Sequence, residues 1–175
     1  MAQVSSKIFI IAGPNGAGKT SLSDQLLDAA AGDWHFVNAD RIAAGLETHG
    51  VPGSNVQAAR LMIDEIDRLA ELHADIAIET TLSGRVYATR IPRWQAAGYH
   101  VSLTYLRLDS VEYAIDRVAS RVRQGGHAIP EQVIRRRFRR GLVNLERLYK
   151  PLVDEWAEVD NSGSEPLVLS RGPSK

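Results

Sequence analysis

Residues Gly13-Pro14-Asn15-Gly16-Ala17-Gly18-Lys19-Thr20 match the spacing G-x-x-x-x-G-K-[ST] in full. Each position has a chemical task. Gly13 and Gly18 permit backbone angles and a close approach that a Cβ would block. Successive N–H groups from Asn15 to Thr20 point inward and form a nest for phosphate oxygens. A helix starting near Lys19 adds the positive end of its dipole. Lys19 reaches the β- and γ-phosphates, and the Thr20 hydroxyl is the candidate metal ligand, for Mg²⁺. The nucleotide-binding set read from the motif is Gly13, Asn15, Gly16, Ala17, Gly18, Lys19, Thr20 and Ser21, with ATP or GTP as ligand. A functionless glycine-rich turn is the alternative. An apolar strand before the motif and a helix after it make that coincidence rare.

A phosphate cradle does not specify a reaction, so the residues that could face it matter. Asn38-Ala39-Asp40-Arg41 follows the second apolar run. Asp40 could take the proton of a hydroxyl attacking the γ-phosphate. It could equally cap a helix, and the two roles are not exclusive. Glu79-Thr80-Thr81 ends the third apolar run. Glu79 could hold Mg²⁺ through water or bind substrate, and the threonine hydroxyls could bond a polar substrate; a strand-end cap is the alternative. Between Arg117 and Arg147 stand nine arginines and only two acids, Glu131 and Glu146. Arg117 and Arg121 lie four apart, opposite a valine stripe, and Arg123 and His127 flank Gly125-Gly126. This pattern reads as a glycine-hinged, arginine-rich lid around 121–130 that neutralises a transferring phosphoryl group. Arg135, Arg136, Arg137, Arg139 and Arg140 read mostly as a solvated helix face. His35, His49, His73 and His100 lack metal-ligand spacing, and Trp94 and Trp156 read as core.

The elements that must position these residues are legible in outline. Lys7–Ala12, Trp34–Asn38, Asp75–Glu79 and Tyr99–Leu108 are predicted strands, followed by two short late strands at Trp156–Asp160 and Pro166–Leu169. Helices are predicted from Lys19 to Ala31, from an N-cap at Ser54, over Val86–Ala97 with a kink at Pro92, after Ser110, and from Pro130 at the first helical position. Gln124–Ile129 reads as a mobile loop and Arg171–Lys175 as a frayed tail. Strands alternating with helices predict a parallel sheet covered on both faces. The 175 residues fit one domain with a sizeable core. There is no cysteine, which excludes disulfides and thiol chemistry. The longest apolar run near the N-terminus, Ile8–Ala12, is too short for a leader or a membrane span. The expectation is a cytoplasmic protein with no membrane partner. A formal net charge of zero makes bulk nucleic-acid binding an unfavoured reading.

The ordered set GPNGAGKT, NADRIA, IETTLSG, GYHVSLTYLRL and RVASRVRQGGHAIPEQVIRRR resembles the zeta-toxin-like P-loop kinases, above all their short members. The resemblance runs from Lys7 to Gly163. It implies an α/β P-loop NTPase fold with a parallel five-stranded sheet, as in adenylate and shikimate kinases. It implies ATP with Mg²⁺ as phosphoryl donor. In full-length zeta toxins the acceptor is the 3′-hydroxyl of a UDP-N-acetylhexosamine. By the same resemblance Asp40 is the general base, Glu79 and Thr81 bind substrate, and Arg117 clamps phosphate. A second clamp is Arg121, Arg123 or His127, and Asp160-Asn161-Ser162 skirts the adenine. The family's arginine two residues after the threonine is Ser83 here, with Arg85 further on as a substrate-binding candidate. An antitoxin protein is a further partner that the resemblance raises.

The leading expectation is therefore a kinase acting on a hydroxyl of a small molecule. Lys19, Asp40, Arg117 and Arg121 are its catalytic candidates, and Asp40, Glu79, Thr81 and Arg85 its substrate-binding candidates. A polynucleotide 5′-hydroxyl kinase is the second reading, with the arginine helix on a strand backbone. A nucleotide-hydrolysing module acting on a protein partner is the third. The chain lacks the N-K-x-D segment of guanine readers, and it is short and lacks the Asp-Glu Walker B of AAA+ motors.

Overall fold

A computed structural model describes residues 6–29, 33–48 and 55–173. In chain order the elements are β1 (Lys7–Ala12), α1 (Lys19–Ala29), β2 (Trp34–Asn38), α2 (Ala39–Thr48), α3 (Asn55–Glu71), β3 (Asp75–Thr80), α4 (Ile91–Ala96), β4 (His100–Arg107), α5 (Val111–Arg123), α6 (Glu131–Asn144), β5 (Glu155–Asp160) and β6 (Leu167–Pro173). A π-helical turn, Leu145–Tyr149, continues α6.

The apolar run of β1 is explained by its place. It lies between β3 and β4, parallel to both, with Ile10 opposite Ile78 on one side and Leu103 on the other. The sheet order is β2-β3-β1-β4-β5-β6. Ile8, Ile10 and Ala12 pack with Met62, Ile66 and Leu69 of α3, Trp94 of α4, and Leu145 and Tyr149 of the π turn. A smaller cluster of Ala17, Leu106, Leu108, Ala114, Val118, Ile134 and Val159 seats the glycine loop, α5 and α6. Both clusters support the carboxyl ends of the strands, where open α/β sheets place their ligands.

The sheet has six strands, not the five expected. β6 runs antiparallel to β5 and continues to Pro173, so Arg171, Gly172 and Pro173 are paired rather than frayed. Gly172 allows this, because a Cβ there would press on the Trp156 ring at 3.2 Å. Over 86–97 the helix is confined to Ile91–Ala96. Pro92 falls in its first turn, where the missing N–H costs no bond, and produces no kink. Pro130 is the N-cap of α6 rather than its first helical residue. Ser110 caps α5 as expected, accepting from the Tyr113 N–H at 3.1 Å. Ser54, His49 and residues 30–32 lie outside the described residues. Among the described residues, no helix is long and apolar enough to cross a membrane.

Candidate active site

The glycine loop leaves the end of β1 and turns into α1. Gly16 and Gly18 take positive φ angles of 80° and 84°, where a side chain would be strained. A Cβ on Gly18 would also meet the Asn161 side chain at 2.7 Å. Of the N–H groups from Asn15 to Ser21, only that of Ala17 has an acceptor among the described residues, Pro14 O at 3.2 Å. The remaining donors converge at the N-terminus of an eleven-residue helix. That concave set of unpaired donors fits a phosphate chain. The loop itself is pinned from behind. Gly13 N donates to Thr80 O at 3.2 Å, and Asn161 Nδ2 donates to Ala17 O at 2.7 Å.

Lys19 is buried, 8% exposed, and its Nζ donates to Pro14 O at 2.9 Å. Burial lowers its pKa to about 8, against the pull of Glu79 and Asp40, and the arginines 121 and 137 add to the lowering. All four charges therefore act on one ammonium. The Thr20 hydroxyl donates to the Glu79 carboxylate at 3.0 and 3.3 Å. These two oxygen groups fit Mg²⁺, a cation that takes few protein ligands and completes its shell with water and phosphate oxygens. Among the described residues, no three His, Asp or Glu side chains cluster as an all-protein metal cage.

Two cavities meet here. One, of about 610 Å³, is lined by Gly16, Gly18, Lys19, Thr20, Ser21, Glu79, Arg117, Ser120, Arg121 and Gln124. The other, of about 190 Å³, is lined by residues that include Asn15, Lys19, Asn38, Asp40, Glu79, Thr81, Ser83, Tyr87 and Arg137. Lys19 and Glu79 belong to both. A cavity of about 690 Å³ between β1, β4, β5 and β6 is larger, but it holds none of these groups.

Asp40 stands in the first turn of α2, and it does not cap that helix. Asn38 does: its Oδ1 accepts from the Asp40 N–H at 2.7 Å and the Arg41 N–H at 3.4 Å. The Asp40 carboxylate lines the smaller cavity. Thr81 lines it too, its hydroxyl 2.9 Å from that of Ser83. Arg85 is not brought there; it is exposed on the loop between β3 and α4. Arg117 and Arg121 line the larger cavity, whereas Arg123 and His127 are exposed and line neither cavity. Arg117 donates to Asn161 O at 2.7 Å and lies over the Tyr113 ring at 5.6 Å. Gly126 packs directly on Arg121, whose carbonyl oxygen would be 2.9 Å from a Cβ at that position.

Arg137 is the residue that sequence reading misplaced. Within the run Arg135-Arg136-Arg137 it read as part of a solvated face. Instead it is half-buried on α6 and lines the Asp40 cavity. Arg136, Arg139 and Arg140 are exposed, and Arg135 is turned away from that cavity, paired with Glu112 at 2.8 Å and Glu131 at 2.7 Å. The available signal was the apolar stripe of α6. Ile134 and Phe138 pack inward, and Arg137 lies three residues after Ile134, next to it on the helix surface.

The mostly parallel sheet and the glycine loop at its carboxyl edge define a P-loop kinase fold. The solved structures similar to it agree. A structure from the PezAT toxin–antitoxin system of Streptococcus pneumoniae has a TM-score of 0.69 at 16% identity, covering 95% of this chain and 73% of that one. The structure of AvrRxo1-ORF1:-ORF2 with ATP has a TM-score of 0.72 at 18% identity, covering 97% and 59%. A gluconokinase from Sinorhizobium meliloti has a TM-score of 0.52 at 17% identity, covering 92% and 85%. The family model for zeta toxin matches residues 2–165, and the chain belongs to that family. A Haemophilus influenzae protein of uncharacterised function is 28% identical over 133 residues, spanning 76% of this chain and 93% of its own length.

Proposed function

We propose that the protein transfers the γ-phosphoryl group of ATP to a hydroxyl of a small molecule. The observation that carries this reading is the pair of cavities sharing Lys19 and Glu79. A donor and an acceptor housed in them meet at one ammonium and one carboxylate. The larger cavity holds the triphosphate on the loop N–H groups, with Arg117 and Arg121 at its rim. Thr20 and Glu79 would hold Mg²⁺, which would supply charge neutralisation on the phosphates. In the smaller cavity Asp40 takes the proton as the acceptor O–H bond breaks. The acceptor oxygen bonds to the γ-phosphorus, the bond to the β-phosphate oxygen breaks, and ADP leaves. Lys19 and the arginines face the oxygens on which charge develops.

Asp40→Asn tests the base. The expected result is loss of transfer by about 10²–10⁴-fold with ATP affinity retained, read by product formation and calorimetric binding. Undiminished transfer would show that the base lies elsewhere. The resemblance of the fold to a toxin–antitoxin structure supports an antitoxin as a protein partner, testable by co-purification with the product of an adjacent gene.

A further inference from the structure

The smaller cavity describes its own ligand. Its volume of about 190 Å³ lies below the roughly 300–1,000 Å³ of pockets that enclose drug-sized molecules. Met62, Val86 and Tyr87 supply apolar lining. Most of the remaining lining is polar, and two of its groups lack partners among the described residues. Asn15 is only 7% exposed, and its Oδ1 accepts no hydrogen bond. A buried acceptor left unmet is unfavourable, so the position suits a ligand that supplies a donor. Arg137 is half-buried with no carboxylate of the described residues within ion-pair distance, and burial pulls its pKa down against the attraction of Asp40. A half-desolvated guanidinium without a partner suits an incoming anion, which it binds through a planar fork of donors. Asp40 and Glu79 add carboxylates that only accept.

The complement of this lining is a molecule with several hydroxyl donors, one anionic group and a small apolar face. Resting on the phosphotransferase reading above, we infer that the acceptor is a monosaccharide-sized polyol bearing one carboxylate or phosphate. Its hydroxyls donate to Asp40, Glu79 and Asn15 Oδ1, and its anion sits on Arg137. One of the hydroxyls at Asp40 receives the phosphoryl group.

The test uses the full chain with Mg²⁺ and ATP, following ADP release and product mass. The probes are gluconate, galactonate, glucose 6-phosphate, ribose 5-phosphate, neutral glucose and UDP-N-acetylglucosamine. At least one anionic sugar is expected to be phosphorylated with kcat/KM about 100-fold or more above glucose. Preference for the aldonates assigns the anion as carboxylate, and preference for the sugar phosphates assigns it as phosphate. Arg137→Met is expected to raise the KM of that acceptor about tenfold or more with the ATP Kd little changed, and Arg137→Lys to restore part of the loss. Turnover of UDP-N-acetylglucosamine or glucose in preference to all four anionic sugars overturns the inference but leaves the phosphotransferase reading standing. So does an Arg137→Met effect confined to ATP, and so does turnover of none of the probes. ADP release at one rate with and without any acceptor would instead sink the phosphotransferase reading itself.

Discussion

Lys19 is a charge kept where the folded chain alone would not choose it. Its ammonium is buried, and its pKa falls to about 8 from 10.5. Between those values the unfolded chain binds the proton and the folded chain does not, so stability rises with pH across that window. Below about pH 8 the whole cost of burying the charge is present. Lys19→Met should therefore raise the melting temperature of the nucleotide-free protein at pH 7, by a stabilisation on the order of 2–3 kcal/mol. The gain should shrink by pH 10, while ATP binding is lost. Calorimetry at the two pH values checks this, and a lower melting temperature for the variant at pH 7 would contradict it. Gly18 makes a second prediction at this scale. Alanine there meets both a φ of 84° and the Asn161 amide at 2.7 Å, so Gly18→Ala should weaken ATP at least about tenfold in a titration. The loop residues were legible in the sequence because their constraints are local. Asp40 was only half legible, because capping and proton transfer ask for the same side chain. Asn38, two residues earlier, does the capping, and the carboxylate lines the cavity.

At the scale of elements, α6 and its π turn hold the loop of residues 81–84 that follows β3. Asn144 is buried and donates to Leu82 O at 2.7 Å and Gly84 O at 3.3 Å. The Tyr149 hydroxyl donates to Gly84 O at 2.8 Å. Leu82 is held at a φ of 52°, unusual for a branched apolar residue, with its side chain fully buried. Gly141 lets α6 approach so closely that a Cβ would stand 2.6 Å from Thr81 O. Arg137 is one helical turn before that contact, so loop and arginine are placed by one rigid segment. Asn144→Ala should cost about 1–3 kcal/mol of stability in urea unfolding. It should also raise the acceptor KM more than the ATP Kd, and equal effects on both would argue against this link. None of it could be read from the chain, because the partners are 60 to 65 residues apart. Arg137 was missed for a different reason: it sits in a run of arginines, and only its place three residues after inward-packed Ile134 sets it apart.

Across the whole molecule, one buried carboxylate joins the late elements. Glu158 of β5 accepts from Arg107 of β4 and Lys150 after the π turn, and also from Ser170 of β6 at 3.2 Å. Burial works to raise its pKa, but the bonds from Lys150 and Arg107 outweigh burial and hold it below 4.5. A lowered folded-state pKa gives stability that is present above about pH 4.5 and lost as the pH falls through the folded value. Glu158→Ala should lower stability at pH 7 by about 3–5 kcal/mol and flatten the acid limb of the profile. The parallel sheet and its alternation with helices were legible because buried strands carry continuous apolar runs. The last strand was legible only in its first half, as Pro166–Leu169; its extension to Pro173 was not, because an exposed edge strand ending in Arg-Gly-Pro has the composition of a tail. These elements together set two cavities against Lys19 and Glu79, and the central claim is that phosphoryl transfer happens between them. The most direct measurement is ADP release from Mg²⁺ and ATP, with and without a mixture of sugar acids, sugar phosphates and nucleotide sugars. Release that depends on the mixture, yields a phosphorylated product and disappears in Asp40→Asn with ATP still bound is the predicted result. Release of ADP and inorganic phosphate at the same rate without any acceptor, and unaltered in Asp40→Asn, would contradict it.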